Sequence, residues 1–171
     1  MEWVKRQFAR ILWHIVCRLP KQDYWHLEGY MERWWLRKGE SREWRWGARL
    51  HHILRSDNDR HLHDHPWTYI TVILKGGYWE ITGPVSPYAV ADFHPHLAPY
   101  LHFDRQRDNW FLRRWYGPGS ILYRKATHTH RLDVEPGKTC WTLFMMGPWQ
   151  QTWGFYTEEG KVPYYDYAGA Q

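Results

Sequence analysis

Apolar side chains recur at helical spacing near the start of the chain, at Val4, Phe8, Ile11, Leu12, Ile15, Val16 and Leu19, with Lys5, Arg6, Arg10 and Arg18 between them. Pro20 ends the pattern. The segment 3–19 is therefore expected to be an amphipathic helix. A basic helix of this kind suits a membrane surface, but its apolar side also suits docking on the protein's own sheet, which is the expectation adopted. A second, shorter helix is expected over 23–38. Asp23 can cap it, Leu27, Tyr30, Met31, Trp34 and Trp35 supply an apolar side, and Lys38-Gly39 suits its end.

From residue 44 the period changes to two. Trp44, Trp46, Ala48, Leu50, His52 and Leu54 alternate with Arg45, Gly47, Arg49, His51 and Ile53, as on a strand. Parity with Leu50 and Leu54 makes His52, not His51, the histidine expected to face inward. Ser56-Asp57-Asn58-Asp59 is a turn cluster. Residues 61–74 read as one long strand or two joined strands, and Gly76-Gly77 turns the chain back through 78–82. Pro84, Pro87, Pro95 and Pro99 make 83–100 a long connection or flap and rule out a central strand there. Short strands are expected at 109–116, 120–125, 129–134, 139–146 and 152–157, with turns at Gly117-Pro118-Gly119 and Glu135-Pro136-Gly137. Many short strands argue for a sandwich or barrel with the helices packed outside. One domain over 1–171 is expected: a helical region 1–40, a β-barrel core 44–157 and a C-terminal tail 158–171.

Composition narrows the function classes. With 43% hydrophobic and 19% aromatic residues the chain is not disordered, and 14 Trp and 12 Tyr suit an aromatic-lined pocket. The net charge of +5 admits an anionic partner. The Lys and Arg are scattered without a nucleic-acid-binding signature, so nucleic acid is not the expected partner. Cys17 and Cys140 cannot build a disulfide framework, which makes a cytoplasmic setting the default. The N-terminal apolar residues are too interrupted by charge for a signal peptide, and no apolar run is long enough to span a membrane.

Twelve histidines are many for 171 residues, and their arrangement carries the chemistry. His61, His63 and His65 stand at i, i+2 and i+4, on one face of a strand and about 7 Å apart from one to the next. Two such rings can converge on one metal ion. A further ligand must come from elsewhere, and Thr127-His128-Thr129-His130 offers it. The alternative is a hydrogen-bonded or surface cluster.

These segments resemble the two motifs of the cupin superfamily. The first reads G-x5-H-x-H-x3,4-E-x6-G. With His63 and His65 as its histidine pair the last glycine falls on Gly76 or Gly77, whereas starting from His61 it would fall on Leu74 or Lys75. The second reads G-x5-P-x-G-x2-H-x3-N, and from Gly119 its histidine falls on His130, not His128. Asp57 stands at the first glycine, Tyr69 or Ile70 at the glutamate, and Lys125, Thr127 and Val134 at three positions of the second motif. The resemblance spans roughly 48–147. Within it, His52–Trp67 and Gly117–Leu132 are similar to small cupin-domain proteins of bacterial and phage genomes.

The resemblance implies an all-β double-stranded β-helix, or jelly-roll barrel, with a metal held by His63, His65 and His130. A three-histidine site without glutamate is similar to that of thiol dioxygenases such as cysteine dioxygenase. This makes Fe(II) the first expectation, while imidazole also suits Zn, Mn or Ni. His61, His128 and Tyr69 are candidates to support the ligands or to donate a hydrogen bond at the metal. His52, Arg49 and Arg124 are candidates to hold a small-molecule substrate, the arginines through an anionic group. If His63 and His65 point inward, Ile70, Val72 and Leu74 form an apolar outer face, to be covered by the N-terminal helices or by a second subunit of a homodimer. Four functions are compatible with these residues: an iron-dependent oxygenase, a non-oxidative metal-dependent isomerase or lyase, a binding module without turnover, and a nucleic-acid-binding protein.

Overall fold

The computed structural model describes residues 1–38, 46–57 and 61–167. The expectations placed on Gly39, Trp44, Arg45, Asn58 and Asp59 lie outside the described residues. Helix α1 (Glu2–Arg18) leads into β1 (Gln22–Asp23), β2 (Met31–Arg37), β3 (Gly47–Ile53), β4 (Leu62–His63), β5 (Tyr69–Gly76) and β6 (Tyr78–Thr82). Helix α2 (Pro87–Phe93) and a 3-10 helix (Pro95–Tyr100) follow. The remaining strands are β7 (Leu101–Asp104), β8 (Asn109–Tyr116), β9 (Ile121–Arg124), β10 (Arg131–Asp133), β11 (Cys140–Met146), β12 (Gly154–Thr157) and β13 (Gly160–Pro163). The described strands form a six-stranded sheet ordered β1-β2-β3-β11-β5-β9, a four-stranded sheet β10-β6-β8-β7 and a three-stranded sheet β13-β12-β4. Every strand pairing among the described residues is antiparallel. No helix among the described residues is long and apolar enough to cross a membrane.

The six-stranded sheet is covered on both faces. On its outer face Leu50, Val72 and Leu74 pack against Val16 of α1, with Leu12, Trp13, Trp34 and Trp141 around them. Helix α1 thus docks on the sheet through Leu12, Trp13 and Val16, while Val4, Phe8, Ile11, Ile15 and Leu19 of the apolar stripe stay exposed, and the apolar face of β5 is covered as expected. On the inner face, Arg49, His51, Tyr69, Thr71, Thr142 and Phe144 line a cavity of about 600 Å³.

Two expectations fail for one physical reason. Residues 23–38 form no helix: β2 pairs with β3 in register Trp34↔Leu50 and Trp35↔Arg49. Trp34 and Trp35 lie on opposite faces of the sheet, Trp34 stacked on Trp141 and Trp35 against Arg49. Both faces are apolar, so a strand here looks like a helical stripe in sequence. The same two-sided burial misleads parity on β3. Leu50 is buried under α1, on the outer face, and His52 lies on that side with it, stacked on Trp141 at 3.9 Å and bonded through Nδ1 to Glu32. The inward histidine is His51.

Smaller differences concern the connections. The 61–74 segment is two strands in different sheets, β4 and β5, separated at Pro66. The Pro-rich connection is ordered into α2 and the 3-10 helix, with Ser86 Oγ accepting from the Ala89 amide and Pro87 in the first turn. Beyond residue 157 the chain adds β13 to β12. Both glycines at the motif ends are required by space. A Cβ on Gly76 (φ +73) would lie 2.0 Å from the Thr139 carbonyl oxygen, and one on Gly119 (φ +86) 2.3 Å from that of Lys5 in α1.

The four-stranded sheet is tied together by Asp104, which accepts from Arg131 Nη2 at 2.6 Å and from Arg107 Nη1 at 3.0 Å. Burial would raise its carboxyl; these arginines overcome that and lower it to about 2 from 3.8. The folded value is depressed, so its contribution is complete above pH of about 4 and is lost as pH falls through about 2. Urea-unfolding stability of the wild type should fall over this window, and Asp104→Asn should remove that part of the slope. Parallel curves for the two proteins would show that the cluster contributes nothing.

Candidate metal centre

His63, His65 and His130 converge in the cavity, with one nitrogen from each ring lying within 4.8 Å of the others. His65 Nε2 and His130 Nε2 are 3.0 Å apart, and the His63 ring centroid is 5.3 Å from that of His65 and 5.1 Å from that of His130. A 3.0 Å separation is what two nitrogens about 2.1 Å from a shared ion span at about a right angle. The donor set and its spacing therefore fit a divalent metal.

Backbone pairing aims these rings. His63 and His130 exchange two main-chain hydrogen bonds, N–H to O of 2.9 and 3.0 Å, which lock the two segments side by side. Between the two ligand candidates of the first segment, Asp64 points the other way and is fully buried. It accepts from the Gly154 amide at 2.8 Å, Gln151 Nε2 at 2.9 Å, Tyr156 Oη at 3.0 Å and Lys161 Nζ at 2.6 Å. With this side chain held outward, His63 and His65 are turned to the cavity.

Glu80 of β6 is the residue missed from sequence. Its Oε1 accepts from His130 Nδ1 at 2.9 Å, His128 Nε2 at 3.2 Å and Arg124 Nε at 3.0 Å. Burial would raise the Glu80 carboxyl, but these bonds outweigh it and hold it well below the usual carboxylate range. The carboxylate only accepts, so His130 carries its proton on Nδ1 and offers the Nε2 lone pair to the cavity. The one available signal was an acidic residue two positions from Tyr78 in the otherwise apolar strand Tyr78–Thr82, which puts it on the inward face. Among the described residues Glu80, His128 and His130 form a second three-residue group at metal-binding distance. The Arg124 guanidinium already neutralises that carboxylate, which leaves the His63–His65–His130 group as the candidate.

Electrostatics keep the site in ligand form. Burial, and after it the neighbouring His130 and His63, hold the His65 pKa well below that of a free imidazole, so the ring is neutral, as a metal ligand must be. Tyr69 Oη is 3.4 Å from His130 Nε2, and burial together with Glu80 raises its pKa well above that of a free phenol. It stays a hydroxyl donor.

The other expected residues fall in different places. His128 bonds to Glu80 through Nε2 at 3.2 Å, and its ring lies against that of His130 with centroids 5.5 Å apart. His61 does not join the cluster: it precedes β4, and its exposed ring bonds to Tyr167 Oη at 2.8 Å. Arg124 is not free to hold substrate, since Glu80 and Tyr116 Oη occupy its guanidinium. His52 is on the outer face. Arg49 does line the cavity, beside His51.

Replacing Glu80 by Gln should weaken divalent-metal affinity about 10- to 100-fold in a competition assay with a chromogenic chelator. Glu80→Ala should also lower the stability of the metal-free protein by about 1–3 kcal/mol, because the half-buried Arg124 loses its carboxylate and keeps only Tyr116 Oη and the Tyr123 carbonyl. Unchanged metal affinity in both variants would remove Glu80 from the centre.

No protein-family model matches the sequence. No curated protein matches it either. Among solved structures, the polyketide cyclase RemF from Streptomyces resistomycificus aligns with a TM-score of 0.51 at 12% identity, over 90% of this chain and 92% of that one. An RmlC-like cupin protein from Ralstonia eutropha JMP134 gives 0.49 at 12% identity, over 84% and 70% of the two chains. A cupin-2 domain protein from Rhodospirillum rubrum gives 0.49 at 12% identity, over 82% and 77%. Likeness at such identity concerns the fold alone. This chain shares the fold of the cyclase RemF, antiparallel β-sheets with α1 packed on the outer face of the six-stranded sheet.

Proposed function

We propose that the protein is a metal-dependent enzyme acting on a small molecule, with His63, His65 and His130 as the ligands and Fe(II)-dependent oxygenation as the leading reaction class. The observation that carries this reading is the convergence of three imidazoles, from two distant segments, on one cavity of about 600 Å³. That volume lies in the range of small-molecule sites. Fe(II) bound there would supply open coordination positions and redox chemistry toward oxygen. The chain itself orients the ligands: Glu80 fixes the tautomer of His130, and the His63–His130 backbone bridge fixes the spacing of the two segments. Tyr69 holds a proton on its hydroxyl at the edge of the cluster.

A second reading is non-oxidative, a metal-dependent isomerase or lyase. It is favoured by Tyr69, whose buried, protonated hydroxyl is placed to protonate a bound substrate without any need for oxygen.

Protein purified without a histidine tag should contain one divalent ion per chain by elemental analysis. His63→Ala, His65→Ala and His130→Ala should each lose it. Full metal content in all three variants would overturn the ligand assignment. Once a substrate is in hand, turnover under air but not under nitrogen selects the oxygenase, and equal turnover in both selects the second reading.

A further inference from the structure

Arg49 is 6% exposed, on the inner face of β3, and no carboxylate among the described residues pairs with it. Its guanidinium carbon lies 4.1 Å from the ring centre of Tyr24, 4.0 Å from that of Trp35 and 5.4 Å from that of Trp67. Its Nε is buried without a hydrogen-bond partner. Burial lowers the Arg49 pKa to about 10, with Tyr24 partly opposing the shift, so the side chain remains a cation at neutral pH. Aromatic faces attract a cation but do not replace a counter-ion.

Two more polar atoms of the same cavity are buried without partners, His51 Nε2 and Trp67 Nε1. His51 stands two positions from Arg49 on the same strand face and stacks on Phe144 at 4.8 Å. Burial, then Arg49, keep its imidazole neutral. Three buried polar atoms without partners, Arg49 Nε, His51 Nε2 and Trp67 Nε1, on the cavity that holds the three-histidine cluster, mark a place where a ligand supplies what the fold does not.

We propose that Arg49, with Trp67 and His51, binds the carboxylate of an aromatic acid whose ring lies among the aromatic side chains of the cavity. The flat fork of a guanidinium matches a carboxylate in shape. A cation buried without a carboxylate beside it calls for a negative charge on the ligand. Arg33, a second cation of this wall, has its Nε engaged by the Trp25 carbonyl at 2.8 Å, whereas Nε of Arg49 is left for the ligand. Trp67, Phe144, Trp149, Trp153 and Phe155 supply the faces for a ring. That the far end of the acid meets His63, His65 and His130 rests on the metal-dependent reading above; the carboxylate pocket does not.

The test uses metal-stripped wild-type protein, so its outcome is independent of whether the histidines hold an ion. Binding of 2-naphthoate, 2-naphthamide, 2-naphthylphosphonate and cyclohexanecarboxylate is measured by calorimetry. The acid should bind at least tenfold tighter than the amide and tighter than the phosphonate and the saturated acid. Arg49→Met should abolish the preference of acid over amide. Equal affinity of acid and amide in the wild type overturns the proposal without reference to any variant. A tighter phosphonate overturns the carboxylate assignment, and an equally tight cyclohexanecarboxylate overturns the aromatic one.

Discussion

The chemistry of the barrel depends on one buried carboxylate. An ionised Glu80 at that depth costs several kcal/mol to desolvate unless it is well bonded. It accepts from an arginine and two histidines, bonds to charged groups being worth about 1.5–3 kcal/mol each. The donors come from β9 and from the loop before β10, so the carboxylate on β6 gathers three segments. It also assigns protons. By accepting from Nδ1 of His130 it leaves Nε2 as the basic nitrogen, 3.0 Å from His65. A structural ion pair and the orientation of a ligand are thus one interaction.

Around that carboxylate the backbone does the aiming. The two hydrogen bonds between His63 and His130 set the distance between the two histidine segments, and Asp64 holds the intervening peptide from the opposite side. Little of the site geometry is left to free side-chain rotation, which is the condition for a pre-organised centre. Asp57 and Tyr69 stand where the cupin motifs carry glycine and glutamate, and both lie at the cluster: Asp57 Oδ2 is 3.7 Å from His63 Nδ1, and Tyr69 Oη is 3.4 Å from His130 Nε2. Two of the departures from the motif thus lie at the site, while Lys125, Thr127 and Val134 lie away from it.

The covering of the six-stranded sheet by α1 has a functional consequence. With Leu50, Val72 and Leu74 sealed outside, the inner face of the same strands is free to carry polar groups such as Arg49 and His51 without losing the core. The inner face also carries a core of its own, with Ile53, Ile73, Tyr78, Leu122 and Cys140, beside the polar groups of the cavity.

The chain by itself determined its strand-rich architecture, the helix α1, the turns at Gly76 and Gly119, and two histidine-bearing segments, within which resemblance to the cupin motifs points to His63, His65 and His130. These are local or near-local features, set by steric limits on φ, by periodicity and by short intervals along the chain. Only the tertiary structure decided that 31–37 is a strand, that His51 and not His52 faces inward, that Arg124 is committed to Glu80, and that His61 pairs with Tyr167. Alternation along a strand reports that a side chain is buried, not which layer buries it, and a sheet covered on both faces erases the distinction. Likewise a carboxylate such as Glu80 gains its role from partners 44 to 50 positions away, which only the strand register brings within hydrogen-bond reach.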